Sequence, residues 1–165
     1  MKKLILVFLA IAIIIFAGCN SNVTKQKIPS FENFVSYVCF IENENRIAGA
    51  LCCSTNEEIK FTVTEPESIK GVTFSATKVA STIAYDNVSV PCENNKFIFN
   101  SSKGITNLFE AIFSSFSAEP QKTTSTQYKF LYSLGEAVVT FKNEQIQSIR
   151  AGEYSYEFTS MSESE

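Results

Sequence analysis

One amphipathic stripe constrains the fold of this chain more than any other feature of its sequence. Large apolar residues recur at helical spacing after residue 104 and form a single stripe along one side of a helix: Ile105, Leu108, Phe109, Ile112, Phe113 and Phe116. Ser101 or Ser102 can cap the start of this helix, and Pro120 lies beyond its end. A helix of only about a dozen residues is marginal by itself in water. The helix predicted over 103–116 must therefore lie against a sheet.

The chain before the helix has the alternation and the turn residues of antiparallel strands. The stretch 34–41 is apolar on both faces, which indicates a strand covered on two sides or a strand whose second face meets a ligand. Further strands are predicted over 46–53, 59–64, 72–76, 79–85, 88–90 and 97–99. The segment 66–71 predicts a single turn of helix, residues 86–87 predict a tight turn, and Pro91 is expected to end its strand.

The chain after the helix predicts a polar loop over 121–125 and then a meander of short strands. These strands are expected over 127–132, 136–142, 146–151 and 154–158, with turn residues between them. A sheet of about nine or ten strands must curl, because neighbouring strands are rotated by roughly 20°. The predicted fold class is therefore α+β, a curved antiparallel sheet, or half-barrel, packed on one main amphipathic helix.

This order of elements resembles the half-barrel of the bacterial lipoprotein-localisation factors, the LolA and LolB superfamily. The resemblance covers about residues 31–158: strands, a turn at 66–71, more strands, a helix and a closing meander. It is architectural and identifies no specific ligand-contacting residue. It implies an exported protein, lipidated in some members, that holds acyl chains in an apolar concavity.

Phenylalanine is abundant in this chain, with 15 residues beside six tyrosines and no tryptophan. Core packing is the plain explanation. The alternative is that part of this surplus lines a groove for an acyl chain or another apolar ligand. The residues expected to serve as core or as lining are Phe40, Phe61, Leu108, Phe109, Ile112, Phe113 and Phe116.

The start of the chain has the pattern of an export signal. Lys2 and Lys3 precede an apolar run over 4–16, which is shorter than the roughly 20 residues of a membrane-spanning helix. The following residues, Phe16-Ala17-Gly18-Cys19, resemble the lipobox of bacterial lipoprotein precursors. That resemblance implies cleavage before Cys19, a diacylglycerol on its thiol, and anchoring to the cell membrane outside the cytoplasm. An ordinary signal peptide with an incidental cysteine is the alternative.

Length and composition indicate how the chain is divided and which classes of partner are disfavoured. The sequence predicts a signal peptide (1–18), a polar tether (19–30), a single domain (31–159) and a disordered tail (160–165). Residues 1–18 contain two lysines and no acid, so the mature chain is more acidic than the net charge of −3 of the whole sequence. No cluster of lysine or arginine follows Cys19, which disfavours a nucleic-acid partner. The sequence specifies no protein partner.

The inventory of reactive side chains disfavours catalysis. The chain has no histidine, which removes Ser-His and Cys-His pairs and imidazole metal sites. It has a single aspartate, Asp86, and nothing in the sequence separates a catalytic pair of glutamates from solvated surface. We therefore predict a protein that is not an enzyme, with no catalytic residue, no metal and no cofactor.

The cysteines other than Cys19 are Cys39, Cys52, Cys53 and Cys92. They are interpreted as small buried apolar residues, with one disulfide or a zinc site as alternatives. The absence of a C-x-x-C pair disfavours zinc. If Glu44-Asn45 centres the first hairpin, Cys39 lies opposite about residue 50, and a bridge to Cys52 would be too long.

Two functions follow as hypotheses. The first is a membrane-anchored, non-catalytic lipoprotein whose curved sheet binds or shields a hydrophobic ligand such as a lipid. The second is a surface lipoprotein that acts by protein–protein contact, as an accessory subunit or a sensor of an envelope complex. Lipid that copurifies with the protein would favour the first hypothesis, and a specific crosslinked partner would favour the second.

Overall fold

A computed structural model describes residues 27–92 and 103–160 of the chain. The elements follow the order β1 (Phe34–Glu42), β2 (Asn45–Cys53), β3 (Ile59–Glu65), a 3-10 turn (Glu67–Ile69), β4 (Thr73–Ala76), β5 (Ser81–Tyr85), β6 (Val88–Cys92), α1 (Lys103–Ser117), β7 (Gln121–Lys122), β8 (Gln127–Tyr132), β9 (Gly135–Lys142), β10 (Gln145–Ala151) and β11 (Tyr154–Thr159). The strands form one antiparallel sheet in the order β6-β5-β4-β3-β2-β1-β11-β10-β9-β8-β7. The described part is thus an α+β half-barrel, an open curved sheet around one helix.

The sheet consists of two meanders that meet at its centre. Strands β1 to β6 pair in sequence on one side, and β7 to β11 pair in sequence on the other. The meanders are joined by β1 and β11, where Val38 pairs with Phe158. This pairing of residues far apart in the chain brings the apolar faces of both meanders into one core.

Two tight hairpins set the register at the centre of the sheet. Asn43-Glu44 and Asn143-Glu144 are both two-residue turns with positive φ, at 49° and 65° and at 51° and 63°. Such turns match the twist of the flanking strands, and asparagine tolerates the left-handed conformation. The first turn therefore centres one residue earlier than we expected. As a result Cys39 pairs with Ala48 and not with a residue near 50.

The helix predicted over 103–116 is confirmed and covers the C-terminal half of the sheet. It contacts β8, β10 and β11. Leu108 and Ile112 are fully buried, and Phe109 is 2% exposed. Phe113 and Phe116, in the last part of the stripe, are only half-buried. The apolar stripe thus extends beyond the area that the sheet covers.

The pairing of β2 with β3 is irregular at Gly49. A Cβ atom on Gly49 would lie 2.3 Å from the carbonyl oxygen of Thr62 and 2.8 Å from Cζ of Phe61. The β2–β3 register shifts between Ala48 and Gly49, as at a bulge, which increases local twist. Glycine at this position therefore lets the Phe61 ring lie close against β2.

Several sequence expectations differ from the structure. Pro91 does not end its strand, because β6 continues to Cys92, and proline is tolerated on an end strand of the described sheet. The strand expected from residue 79 begins at Ser81. The polar loop at 121–125 begins with β7, which is too short to produce a periodic pattern. The turn expected at 66–71 is confirmed as the 3-10 turn, whereas the strand predicted at 97–99 lies outside the described residues.

Strand β1 is not covered on both faces. Ser36, Val38 and Phe40 alternate inward and are buried, whereas Val35 and Ile41 on the outer face are 55% and 59% exposed. The interpretation of a strand covered on two sides is therefore wrong. One face is packed inward, and a ligand on the outer face stays a prediction.

Candidate functional site

The inner face of the N-terminal half carries an apolar row that becomes exposed towards the edge of the sheet. Cross-strand pairing aligns residues from β2 to β6 on one face: Leu51, Phe61, Phe74, Ile83 and Val90. Leu51 and Phe61 are fully buried and Phe74 is 5% exposed, whereas Ile83 is half-buried and Val90 is 52% exposed. The inner face is therefore open to solvent at β5 and β6.

Tyr85 and Val88 extend this open region along the same two strands. They pair with each other across the tight turn at 86–87, which the structure confirms, and they are 59% and 66% exposed. Strand alternation places them on the face of Ile83 and Val90. We call these four residues the edge mouth. A contiguous apolar surface of this kind is a typical site for an apolar ligand or a protein partner.

The centre of the inner face is filled by aromatic side chains. The Phe40 ring centroid lies 5.2 Å from that of Tyr156 and 6.4 Å from that of Phe61. Above this ring, a Cβ atom on Gly104 would lie 2.3 Å from Cε2 of Phe40. The first turn of α1 therefore rests directly on β1 at this point.

The structure brings five of the seven predicted residues into one core and leaves two at its margin. Phe40, Phe61, Leu108, Phe109 and Ile112 belong to the buried cluster, and Phe113 and Phe116 pack against it. Burial is compatible both with core packing and with the lining of a ligand site. The lining role of these residues stays a prediction.

A buried carboxylate holds the start of the helix, and the sequence analysis did not identify it. Glu42 is 5% exposed, and its Oε1 accepts hydrogen bonds from the Gly104 backbone N–H at 2.9 Å and from the Tyr154 hydroxyl at 3.2 Å. Tyr156 donates its hydroxyl hydrogen to the Gly104 carbonyl at 2.7 Å. Strand alternation could have identified it, because Glu42 falls on the same face of β1 as the inward-facing residues 36, 38 and 40.

Tyr154 and Tyr156, the two tyrosines in this hydrogen-bond network, keep their protons at neutral pH. Burial, with the nearby Glu42 carboxylate, raises the pKa of Tyr154 to about 12. Burial also raises the pKa of Tyr156. Both hydroxyls therefore remain donors, and the arrangement serves to position the helix.

All four cysteines of the described part are free thiols. Cys53 and Cys92 are buried, Cys39 is half-buried and Cys52 is exposed, so the interpretation as buried apolar residues holds for only two of them. Burial raises the pKa of Cys53 to about 12. Within residues 27–92 and 103–160, no group of three His, Cys, Asp or Glu side chains is arranged to hold a metal ion.

The predicted anchor, Cys19, lies outside the described residues, so its lipidation stays a prediction. In the part of the chain that the structure describes, no helix is long and apolar enough to cross a bilayer.

No protein-family model matches the chain, and no curated protein matches it. Among solved structures, the chain is similar to a LolA superfamily protein from Nitrosomonas europaea, with 10% sequence identity and a TM-score of 0.36. The match covers 77% of this chain and 63% of the other, less than two thirds of that protein's length. Because the TM-score is below 0.5, the fold class rests on the strand order and register of this chain.

Proposed function

We propose that this protein is a membrane-anchored lipoprotein outside the cytoplasm, tethered through a diacylglycerol on Cys19. In this proposal its curved sheet is non-catalytic and binds or shields a hydrophobic ligand, in particular the acyl chain of a lipid.

The observation that carries the ligand-binding part is the edge mouth. The apolar row on the inner face is buried at Phe61 and about half exposed at Val90. The neighbouring Tyr85 and Val88 are also exposed. Exposed apolar side chains on a concave face lower the free energy of the system when an apolar ligand covers them. The site offers apolar contacts and one phenol, which fits a hydrocarbon chain better than a charged solute.

The test is native mass spectrometry of the mature protein extracted from membranes, with matched substitutions of two exposed valines. Val90 lies in the edge mouth, whereas Val79 lies in the β4–β5 loop and is 90% exposed. Val90→Asp should abolish copurifying lipid, because a carboxylate in the site must be desolvated when an acyl chain covers it. Val79→Asp should retain the lipid of the wild type.

Two results would contradict ligand binding. One is a wild-type protein that carries no lipid and takes up none from vesicles. The other is a Val90→Asp variant that keeps its lipid while circular dichroism shows an unchanged fold.

A second candidate function is contact with a protein partner, and the outer face of β1 favours it. Val35 and Ile41 are more than half exposed there, on the central strand, with half-buried Tyr37 and Cys39 between them. Photocrosslinking in cells from position 41 should capture a specific partner if this face is the interface. Crosslinks from position 79, in the exposed loop, provide the control, and identical products from both positions would contradict this function.

A further inference from the structure

A cleft of about 250 Å³ lies at the end of the sheet where the chain enters the domain. We call it the tether-end cleft. Apolar and aromatic side chains form most of its wall, among them Ile28, Phe116, Tyr128 and Phe130, and the polar residues Ser30, Glu32 and Ser115 complete it. The Tyr128 hydroxyl donates a hydrogen bond to the Pro29 carbonyl at 3.1 Å, which holds the entering segment against β8. The cleft thus lies between this segment and the end of α1.

The helix presents its least buried apolar residues at this end. Leu108 and Ile112 are fully buried, whereas Phe113 and Phe116 are half-buried, with ring centroids 6.5 Å apart. The Phe116 side chain borders the cleft directly. An apolar occupant would remove further aromatic surface from water, at roughly 25 cal/mol per Å².

The chain before the cleft limits how far this end can lie from a membrane. If Cys19 is lipidated, eight peptide units separate it from Lys27, the first described residue. A fully extended chain of this length spans at most about 29 Å, and a flexible one averages about 16 Å. The Ser133-Leu134 turn follows the far end of β8, about 20 Å along the chain direction from Tyr128, the residue that holds Pro29.

We propose that the tether-end cleft takes part of one acyl chain of a bilayer phospholipid, so that the domain rests on the membrane by this end. The proposal rests on the anchoring at Cys19 proposed above. The cleft is smaller than the roughly 300–1,000 Å³ of typical ligand pockets, which suits a segment of a single chain. The acidic chain offers no net attraction to anionic lipids, so apolar contact must supply the interaction.

The absence of tryptophan from the sequence allows a direct test with one engineered reporter per variant. Lipidated Phe116→Trp and Leu134→Trp proteins are reconstituted into phosphatidylcholine vesicles, with or without dibrominated acyl chains. Emission from Phe116→Trp should be blue-shifted and at least about two-fold more quenched by the brominated lipid than emission from Leu134→Trp, because quenching requires short-range contact. Leu134 is 64% exposed and marks the opposite end of β8.

A second reporter, Ile28→Trp on the facing wall of the cleft, covers the case in which Phe116→Trp does not fold. Vesicle flotation separates the two possible failures. Protein that does not float contradicts the anchoring and this inference together, whereas protein that floats with equal quenching at both ends overturns only the inference. Blue-shifted emission that brominated lipid does not quench would indicate another occupant, such as the acyl chain of the protein itself, and would also overturn it.

Discussion

Glu42, the last residue of β1, accepts a hydrogen bond at 2.9 Å from the backbone N–H of Gly104 in the first turn of α1. The contact joins residues 62 positions apart and places a carboxylate at the positive end of the helix. Because the first N–H groups of a helix have no partner within it, this side chain satisfies one of them, as a capping side chain does. The caps predicted at Ser101 or Ser102 lie outside the described residues. The helix is therefore positioned on the sheet by its N-terminus.

Glu42→Ala should destabilise the fold by about 1–3 kcal/mol, because it removes the acceptor of Gly104 and of the Tyr154 hydroxyl. Glu42→Gln should cost less, since its amide oxygen can still accept. Urea denaturation measures both changes. Glu119→Ala, at an exposed position, serves as the control and should change stability by less than about 0.5 kcal/mol. Equal losses of unfolding free energy in Glu42→Ala and Glu119→Ala would show that the hydrogen bonds of Glu42 do not stabilise the fold.

Gly104→Ala should destabilise the protein by about 1–3 kcal/mol, even though alanine favours helix. The new Cβ atom would lie 2.3 Å from the Phe40 ring, which is buried and cannot move away freely. Combining it with Phe40→Leu should cost less than the sum of the two single changes, as a double-mutant cycle measures. The exposed neighbour Lys103→Ala should be nearly neutral. Additive effects would show that the two residues do not interact.

The thiols should differ in reactivity towards an aromatic disulfide reagent at about pH 8. Cys52 is exposed, whereas burial raises the pKa of Cys53 to about 12. Relative to an ordinary thiol, Cys53 therefore has a roughly thousand-fold smaller thiolate fraction. Cys52→Ala should remove a fast phase of labelling, and Cys53→Ala should remove a phase that appears only on unfolding. A fast phase lost in Cys53→Ala would contradict the burial of that thiol.

The free energy of unfolding should fall as the pH rises above about 9. In the unfolded chain Cys53 ionises near 9.0 and Tyr154 near 10.0, whereas in the native state the pKa of each is about 12. The unfolded state then binds fewer protons than the native state, so unfolding is favoured by alkali. Urea midpoints at about pH 8 and pH 11 measure the effect, and Cys53→Ala should lessen it. A midpoint that rises with pH would contradict these shifts.

Cys19→Ala should release the protein from membranes, since the substitution removes the thiol that carries the proposed diacylglycerol. Cell fractionation and blotting measure this, with Cys52→Ala as a matched control that should stay with the membranes. If Cys19→Ala still sediments with membranes, the anchor lies elsewhere, for instance in an uncleaved apolar run over 4–16.

Local periodicity predicted the helix and all but one of the described strands. The stripe from Ile105 to Phe116 predicts α1, and the turn residues Asn143-Glu144 predict a hairpin that the structure contains. A one-residue error in the first turn was enough to misplace the partner of Cys39, because hairpin register depends on turn geometry. Strand β7 has no detectable pattern, since two residues define no period.

The sequence by itself determined that one amphipathic helix must pack on an antiparallel sheet, because each half of that statement follows from spacing within a short window. Only the tertiary structure decided which apolar residues are covered. Phe61 and Val90 belong to one cross-strand row, yet one is buried and the other is half exposed. Likewise, Glu42 lies just beyond the strand predicted over 34–41, and only the fold brings Gly104 against it. Both outcomes depend on contacts between residues distant in the chain, and the sequence pattern near a residue does not record what packs against it.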